Sequence, residues 1–150
     1  MNANVHDLGL SSLVYVSRSR LPVEGDADAL NDIINVAISR NRPLRVTGAL
    51  IYTELHFAQV LEGSLHAIDE LMSSIRKDER HRDVTVVAKQ VISARIFADW
   101  AMAYSGPSPY LDRHVKPLIS PATAKEDRSP LVGALIANMQ RLYVERPHQR

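Results

Sequence analysis

The chain has no cysteine among its 150 residues. This absence excludes disulfides, cysteine nucleophiles, thiolate metal sites and redox-active CxxC motifs. No apolar run approaches the roughly 18 residues that a membrane-spanning helix needs. The first ten residues, MNANVHDLGL, also lack the charged and apolar regions of a signal peptide. We therefore expect a cytoplasmic protein that does not associate with membranes.

An excess of charge of either sign is also missing. Lysine and arginine total 18 and aspartate and glutamate total 17, so the formal net charge is +1. No basic excess indicates nucleic-acid binding, and no acidic excess indicates a solvating tail. With 45% hydrophobic and 23% charged residues, the composition is that of an ordinary globular protein of one domain with a short appendage.

Motifs of common catalytic sites are absent as well. The sequence has no GxSxG nucleophile elbow, no P-loop and no GxGxxG dinucleotide fingerprint. Its histidines show no HExxH or other ligand spacing, so we expect no metal site. The remaining candidates for function are uncharged polar side chains within apolar strands.

Hydrophobic periodicity predicts a β-α-β-β-α-β-β order in the first two thirds of the chain. The predicted elements are a strand at 10–19, a helix within 24–41, a hairpin at 44–63, a helix from Ser64 to about residue 77, and strands at 84–92 and 99–104. Two helices alternating with a sheet that contains a hairpin predict an α+β sandwich with both helices on one face.

The C-terminal third has a different pattern. Residues 106–130 concentrate proline and polar residues, which predicts a linker with one short helix at 110–118. Ser129 and Pro130 then begin a helix that extends to residue 144. Its apolar stripe, Leu131, Leu135, Met139 and Leu142, must bury against the open face of the sheet or against a partner subunit.

Gln59 stands in the middle of the apolar strand FAQVLEG. A buried carboxamide without partners costs about 1–3 kcal/mol, and it needs both an acceptor and donors. Tyr15 lies centrally in the first strand, and Asn41 ends the first helix, where it could also serve as a C-cap. Trp100 and Met102 are two residues apart on the last predicted strand, so we expect them to share a face.

Together these residues resemble the BLUF domains, blue-light sensors that use FAD. The resemblance covers about residues 11 to 105. It rests on LVYVSRS with Tyr15, SRNRPLRVTGALIY with Asn41, FAQVLEG with Gln59, DERHRDV with His81, and RIFADWAM with Trp100 and Met102. It implies a ferredoxin-like β-α-β-β-α-β-β fold with the flavin ring between the two helices. With the apolar stripe of the last helix, we predict a five-stranded mixed sheet that has these two helices on one face and the C-terminal helices on the other.

The resemblance also implies which residues hold the flavin. Ile33 and Ile75 match the apolar side chains that sandwich the ring, and Asn41 matches the asparagine at its pyrimidine end. Tyr15 and Gln59 match the pair that reaches flavin N5 and O4.

The predicted cofactor site has three further residues, Asp78, His81 and Arg40. Asp78 and His81 match recurring family positions, where they serve either the cofactor or the structure. Ser74 replaces a basic residue of several relatives, and Arg40 either takes over that contact or caps its helix.

In the family, the tyrosine gives up an electron and then a proton after excitation, and the glutamine settles in a rotated or tautomeric arrangement that shifts the absorption to the red. Tyr15 and Gln59 are the matching photoactive residues here. The switched state then propagates through the strand that carries Trp100 and Met102.

We therefore predict a photoreceptor rather than an enzyme, with FAD, or in some preparations FMN, as its cofactor. Residues 1–105 would form the BLUF domain, and residues 106–150 a linker and C-terminal helical extension too short for a catalytic output domain. Output would be a change in binding to a separate protein or in the protein's own oligomer. Two rivals are a small acylphosphatase-like enzyme, for which LPVEGDADA lacks the phosphate-binding arginine, and a flavin-free association module.

Overall fold

The computed structural model describes residues 9–22, 27–104, 106–120 and 127–144. The first eight residues, the middle of the predicted linker at 121–126 and the last six residues lie outside this part of the chain. The elements are β1 (Leu10–Ser19), α1 (Ala27–Asn41), β2 (Thr47–Tyr52), β3 (His56–Gly63), α2 (Leu65–Lys77), β4 (His81–Ile92), a 3₁₀ turn (Pro109–Leu111), α3 (Asp112–Ile119) and α4 (Ser129–Val144).

The strands form one antiparallel sheet with the order β2-β3-β1-β4. β3 lies between β1 and β2, and β1 lies between β3 and β4, so each helix connects two strands that are separated by a third. This is the split β-α-β arrangement. The α+β class is confirmed, with α1 and α2 on one face.

The prediction of a fifth strand at 99–104, and with it the mixed sheet, is wrong. Among the described residues of this segment, Ala103 forms a single parallel bridge to Ala49, and the carbonyl of Trp100 accepts a hydrogen bond from the amide of Gly48 at 3.1 Å. The amide of Trp100 donates to the carbonyl of Phe97 at 3.1 Å, which closes a turn. The chain bends again at Ala101 and Met102. Because an extended ladder cannot continue through these bends, the segment crosses the edge of β2 instead of adding a strand to it.

The alternation of side chains along the central strands divides the core in two. On β1, Leu13 and Tyr15 face α1 and α2, whereas Val14 and Val16 face α3 and α4. The predicted stripe of the last helix is buried against this second face, with Leu135 and Met139 fully inaccessible. The stripe therefore packs on the open face of the sheet, which was the first of the two predicted alternatives.

Candidate functional site

A cleft opens between α1 and α2, with β1 and β3 as its floor, and its volume including the space open to solvent is about 650 Å³. The structure brings all of the predicted cofactor-binding residues to its lining: Tyr15, Ile33, Arg40, Asn41, Gln59, Ile75, Asp78 and His81.

Tyr15 and Gln59 form a polar pair on the floor of the cleft. They lie directly opposite each other on β1 and β3, and each is only 4% exposed. The Tyr15 hydroxyl donates to Gln59 Oε1 at 2.5 Å, and Gln59 Nε2 donates to Met102 Sδ at 3.4 Å. Since a carboxamide has two N–H donors and thioether sulfur is a weak acceptor, Gln59 keeps donor capacity for a ligand in the cleft.

The electrostatic surroundings keep Tyr15 protonated. Burial raises the pKa of its hydroxyl far above the ordinary value, and the negative charge of Asp78 raises it further. At neutral pH the group is therefore a neutral phenol, which can donate its hydrogen bond to Gln59.

Asn41 joins the cleft to the segment that crosses β2. It is the last residue of α1 and is 2% exposed. Its Nδ2 donates to the carbonyl of Ala101 at 2.7 Å rather than to the end of its own helix. No donor among the described residues reaches its Oδ1, so this atom can accept a hydrogen bond from a ligand.

The side walls of the cleft are apolar. Ile33 projects from α1 and Ile75 from α2, and both line the cavity. Phe57 and Leu50 continue the apolar lining at the floor. A slot with apolar walls and a few polar groups at its inner edge suits a flat aromatic ligand.

Arg80, which was not among the predicted site residues, also lines the cleft. Its guanidinium contacts Asp78 Oδ2 at 2.8 Å and Asp32 Oδ2 at 2.8 Å, so it connects the end of α2 to α1. Hydrogen bonds from Arg80 hold the pKa of the Asp78 carboxyl below its usual value. The sequence did contain a signal for Arg80, because this residue lies in DERHRDV between Asp78 and His81, which were both assigned to the cofactor site.

His81 borders the cleft, but both of its ring nitrogens are bonded to protein atoms. Nε2 lies 2.7 Å from the carbonyl oxygen of Ile75 and must carry hydrogen to bond it. Nδ1 lies 2.8 Å from Ser17 Oγ. His81 thus ties β1 to the end of α2.

The prediction that Trp100 and Met102 share a face is wrong. Met102 belongs to the core on the cleft side and contacts Gln59. Trp100 belongs to the opposite core, where its ring lies 5.1 Å from that of Tyr143 on α4. Two-residue alternation does not apply, because the chain bends between the two side chains.

The family described as "BLUF: Sensors of blue-light using FAD" matches residues 10–103. The chain belongs to the BLUF family. The dark-state structure of BlrB, a BLUF protein, is 32% identical with a TM-score of 0.66, and the match covers 87% of this chain and 97% of that chain. The predicted family and its general function, flavin-based sensing of blue light, are confirmed.

Several relatives are larger proteins. The photoactivated adenylate cyclase subunit beta of Euglena gracilis is 37% identical over 93 residues, which are 62% of this chain and 11% of that protein. The Klebsiella pneumoniae BlrP1 manganese/cy-diGMP complex is 31% identical with a TM-score of 0.61, covering 86% of this BLUF chain and 33% of that chain. This BLUF chain therefore spans only 11% of that subunit beta and 9% of the photoactivated adenylate cyclase subunit alpha of Euglena gracilis.

None of the helices in the described ranges is both long and apolar enough to cross a membrane. No group of three or more potential ligands among the same residues is placed to hold a metal ion.

Proposed function

We propose that the cleft between α1 and α2 holds a flavin without a covalent bond, and that light is detected through Tyr15 and Gln59. The observation that carries this proposal is the hydrogen-bonded series Tyr15–Gln59–Met102 at the floor of a cleft with apolar walls. A bound flavin would supply absorption of blue light and a strong oxidant in its excited state.

The donors and acceptors in the cleft fit a flavin. The ring offers acceptors at N5 and O4, and the second N–H of Gln59 is available to such an edge. Asn41 Oδ1 can accept from the imide N–H at the pyrimidine end. Ile33 and Ile75 would lie on the two faces of the ring, where apolar contact supplies binding energy without competing hydrogen bonds.

Tyr15 is suited to be the redox partner. Its phenol is neutral and buried, and Gln59 Oε1 stands 2.5 Å from its oxygen, where a proton lost from the oxidised ring can move. Rotation of the Gln59 amide by a half turn would exchange its oxygen and nitrogen. Nε2 would then face Tyr15, and the contact with Met102 Sδ would be lost.

We propose FAD rather than FMN as the cofactor. Arg40 and Arg80 line the cleft and supply positive charge for a diphosphate. Asp32 is exposed in its salt bridge with Arg80, so this bridge would be weak. Arg80 could then bind a phosphate in place of Asp32. Denaturing the purified protein and identifying the released flavin by chromatography separates the two cofactors.

We propose further that the protein signals by binding and has no catalytic turnover. Met102 contacts Gln59, and Trp100 contacts α4. The segment between them therefore connects the cleft with the C-terminal helices. Residues 1–105 would be the sensing unit and 106–150 its extension. The target would be a separate protein or another copy of this chain, which size-exclusion chromatography in darkness and in blue light can distinguish.

The absorption spectrum before and after blue light tests the central proposal. We expect a flavin spectrum that shifts reversibly to the red. Tyr15→Phe should abolish the photocycle, and Gln59→Leu should keep the flavin but lose the normal shift. Tyr104→Phe is the matched control, because Tyr104 is a second tyrosine whose hydroxyl is buried but does not line the cleft. A colourless protein that takes up no flavin, or a normal cycle in Tyr15→Phe, would refute the proposal.

A further inference from the structure

Glu62 is a charged residue with no exposed surface, and it lies outside the cleft. It stands on β3 three residues after Gln59 and faces the opposite side of the sheet. Its carboxylate accepts three hydrogen bonds: Oε1 from Thr47 Oγ1 at 2.9 Å and from the amide of Phe97 at 3.0 Å, and Oε2 from the amide of Ile96 at 2.6 Å. Burying a carboxylate is costly unless its oxygens are satisfied in this way.

The two amide donors begin the segment that crosses the edge of β2. Arg95, the residue before them, donates through Nη1 to Thr47 Oγ1 and to the backbone oxygen of Glu62, both at 2.9 Å. The segment that starts at these three residues next turns at Trp100 and then delivers Met102 to Gln59. The carboxylate thus holds one end of a segment whose other end contacts the light-sensing pair.

We propose that Glu62 is a positioning residue for the light response: by fixing Ile96 and Phe97, its carboxylate sets the place of Met102 beside Gln59. The inference rests on the proposed light-driven change at Gln59. It assigns to Glu62 the transmission of that change and not the photochemistry itself.

The chemistry of the site requires a carboxylate. Two backbone N–H groups point at two different oxygens, so both side-chain atoms must accept. A carboxamide at this position has a single acceptor oxygen, and its NH₂ group would face one of the two amides without a hydrogen bond. Glu62→Gln therefore preserves shape and removes one anchor of the segment.

The test compares flavin-loaded Glu62→Gln with Glu70→Gln, a matched change on the exposed face of α2. Hydrogen exchange of individual amides is followed in the dark by NMR. The methyl resonance of Met102, one of only four methionines, and the flavin spectrum are followed in the dark and in blue light. In Glu62→Gln we expect exchange at Ile96 and Phe97 to accelerate about tenfold and the light-induced change at Met102 to be lost. The red shift of the flavin should persist. In Glu70→Gln all three should match the wild type.

Two results would overturn the proposal. One is wild-type exchange at Ile96 and Phe97 with a wild-type response of Met102. The other is faster exchange over the whole sheet, which would mean that Glu62 only stabilises the fold. Absence of a red shift in the wild-type protein would count against the proposed function instead, and the dark exchange data would still decide whether Glu62 holds the segment.

Thr47→Val provides a second variant if Glu62→Gln does not fold. It removes the hydroxyl that donates to Glu62 and accepts from Arg95 while keeping the size of the side chain. We expect the same localised changes at Ile96, Phe97 and Met102, but smaller ones, because both backbone anchors remain. An unchanged Met102 response and unchanged exchange in this variant would speak against the positioning role.

Discussion

The two faces of the sheet use the same strands for different purposes. On the side of α3 and α4, side chains such as Val16, Val115 and Leu135 are fully buried against one another. On the side of α1 and α2, the strands present Tyr15 and Gln59 to a cleft of about 650 Å³. Alternation along β1 and β3 lets one sheet be a packed core on one side and a ligand site on the other.

The segment after β4 has side chains on both faces of the sheet, the packed one and the one with the cleft. Phe97 and Trp100 belong to the packed side, and Met102 belongs to the side of the cleft. A dense core transmits displacement because its side chains have few alternative arrangements. A change at Gln59 can therefore reach α4 through this segment, which takes part in both sides.

We expect the largest loss of stability from shortening a buried side chain on the packed side. Met139→Ala removes a fully buried side chain of α4, and we expect the free energy of unfolding in urea to fall by about 3 kcal/mol. Gln140→Ala, on the exposed face of the same helix, should change it by no more than about 0.5 kcal/mol. A loss below about 1 kcal/mol in Met139→Ala would show that α4 does not depend on this contact.

Binding of FAD in the cleft should change the free energy of unfolding by a similar amount in the opposite direction. At a concentration about 100 times its dissociation constant, FAD should add about 2.7 kcal/mol to the free energy of unfolding. Because the ligand occupies the other side of the sheet, Met139→Ala should gain the same increment at the same concentration of FAD. Denaturation of flavin-free and flavin-loaded protein measures both values. A much smaller FAD-dependent increment in Met139→Ala would show that the two sides are not independent.

A cleft-wall variant should separate binding from folding. Ile33→Ala shortens a half-buried side chain that faces the cleft, so we expect FAD to bind about tenfold more weakly, which is about 1.4 kcal/mol. The flavin-free protein should lose less stability than in Met139→Ala. Ile34→Ala, which packs in the same core without lining the cleft, should leave the affinity nearly unchanged in a titration. Equal losses of affinity in the two variants would contradict the proposed position of the ring.

The smallest effect concerns acid stability at the mouth of the cleft. Hydrogen bonds from Arg80 hold the pKa of Asp78 below its ordinary value of 3.8. A carboxyl with a lowered pKa contributes stability above the unfolded-state pKa, and the contribution is lost as pH falls through the folded-state pKa. Urea midpoints should therefore fall more steeply on acidification in the wild type than in Asp78→Asn. Identical slopes would show that this pair adds nothing to folding.

Much of the fold could be predicted from local patterns. The alternation in β1 and the stripe of Leu135 and Met139 follow from periods of two and 3.6 residues, which depend only on neighbouring positions. The resemblance on FAQVLEG and its companion motifs also indicated Tyr15 and Gln59 together, and they are opposite each other on adjacent strands. For the strands and helices the residue type and its spacing carry the physical reason, whereas the pairing of Tyr15 with Gln59 was implied by the resemblance.

The segment around Trp100 could not be predicted in the same way. Its composition is that of a strand, but a turn at Phe97 and a bend at Met102 override that preference. Arg80 was missed because a charged residue in a polar connection looks like an ordinary solvated side chain. Nothing in FAQVLEG indicates that Glu62 would be fully buried, since charged residues are almost always exposed unless they are paired.

Sequence alone determined the elements that rest on local period and side-chain type: the strands β1 to β4, the helices, and the polar pair in apolar strands. Only the tertiary structure decided what those side chains meet. Asn41, Gln59 and Glu62 all bond the segment that follows β4, across sequence separations of 34 to 60 positions. Such contacts have no local signature, because they exist only when the folded sheet and helices bring distant parts of the chain together.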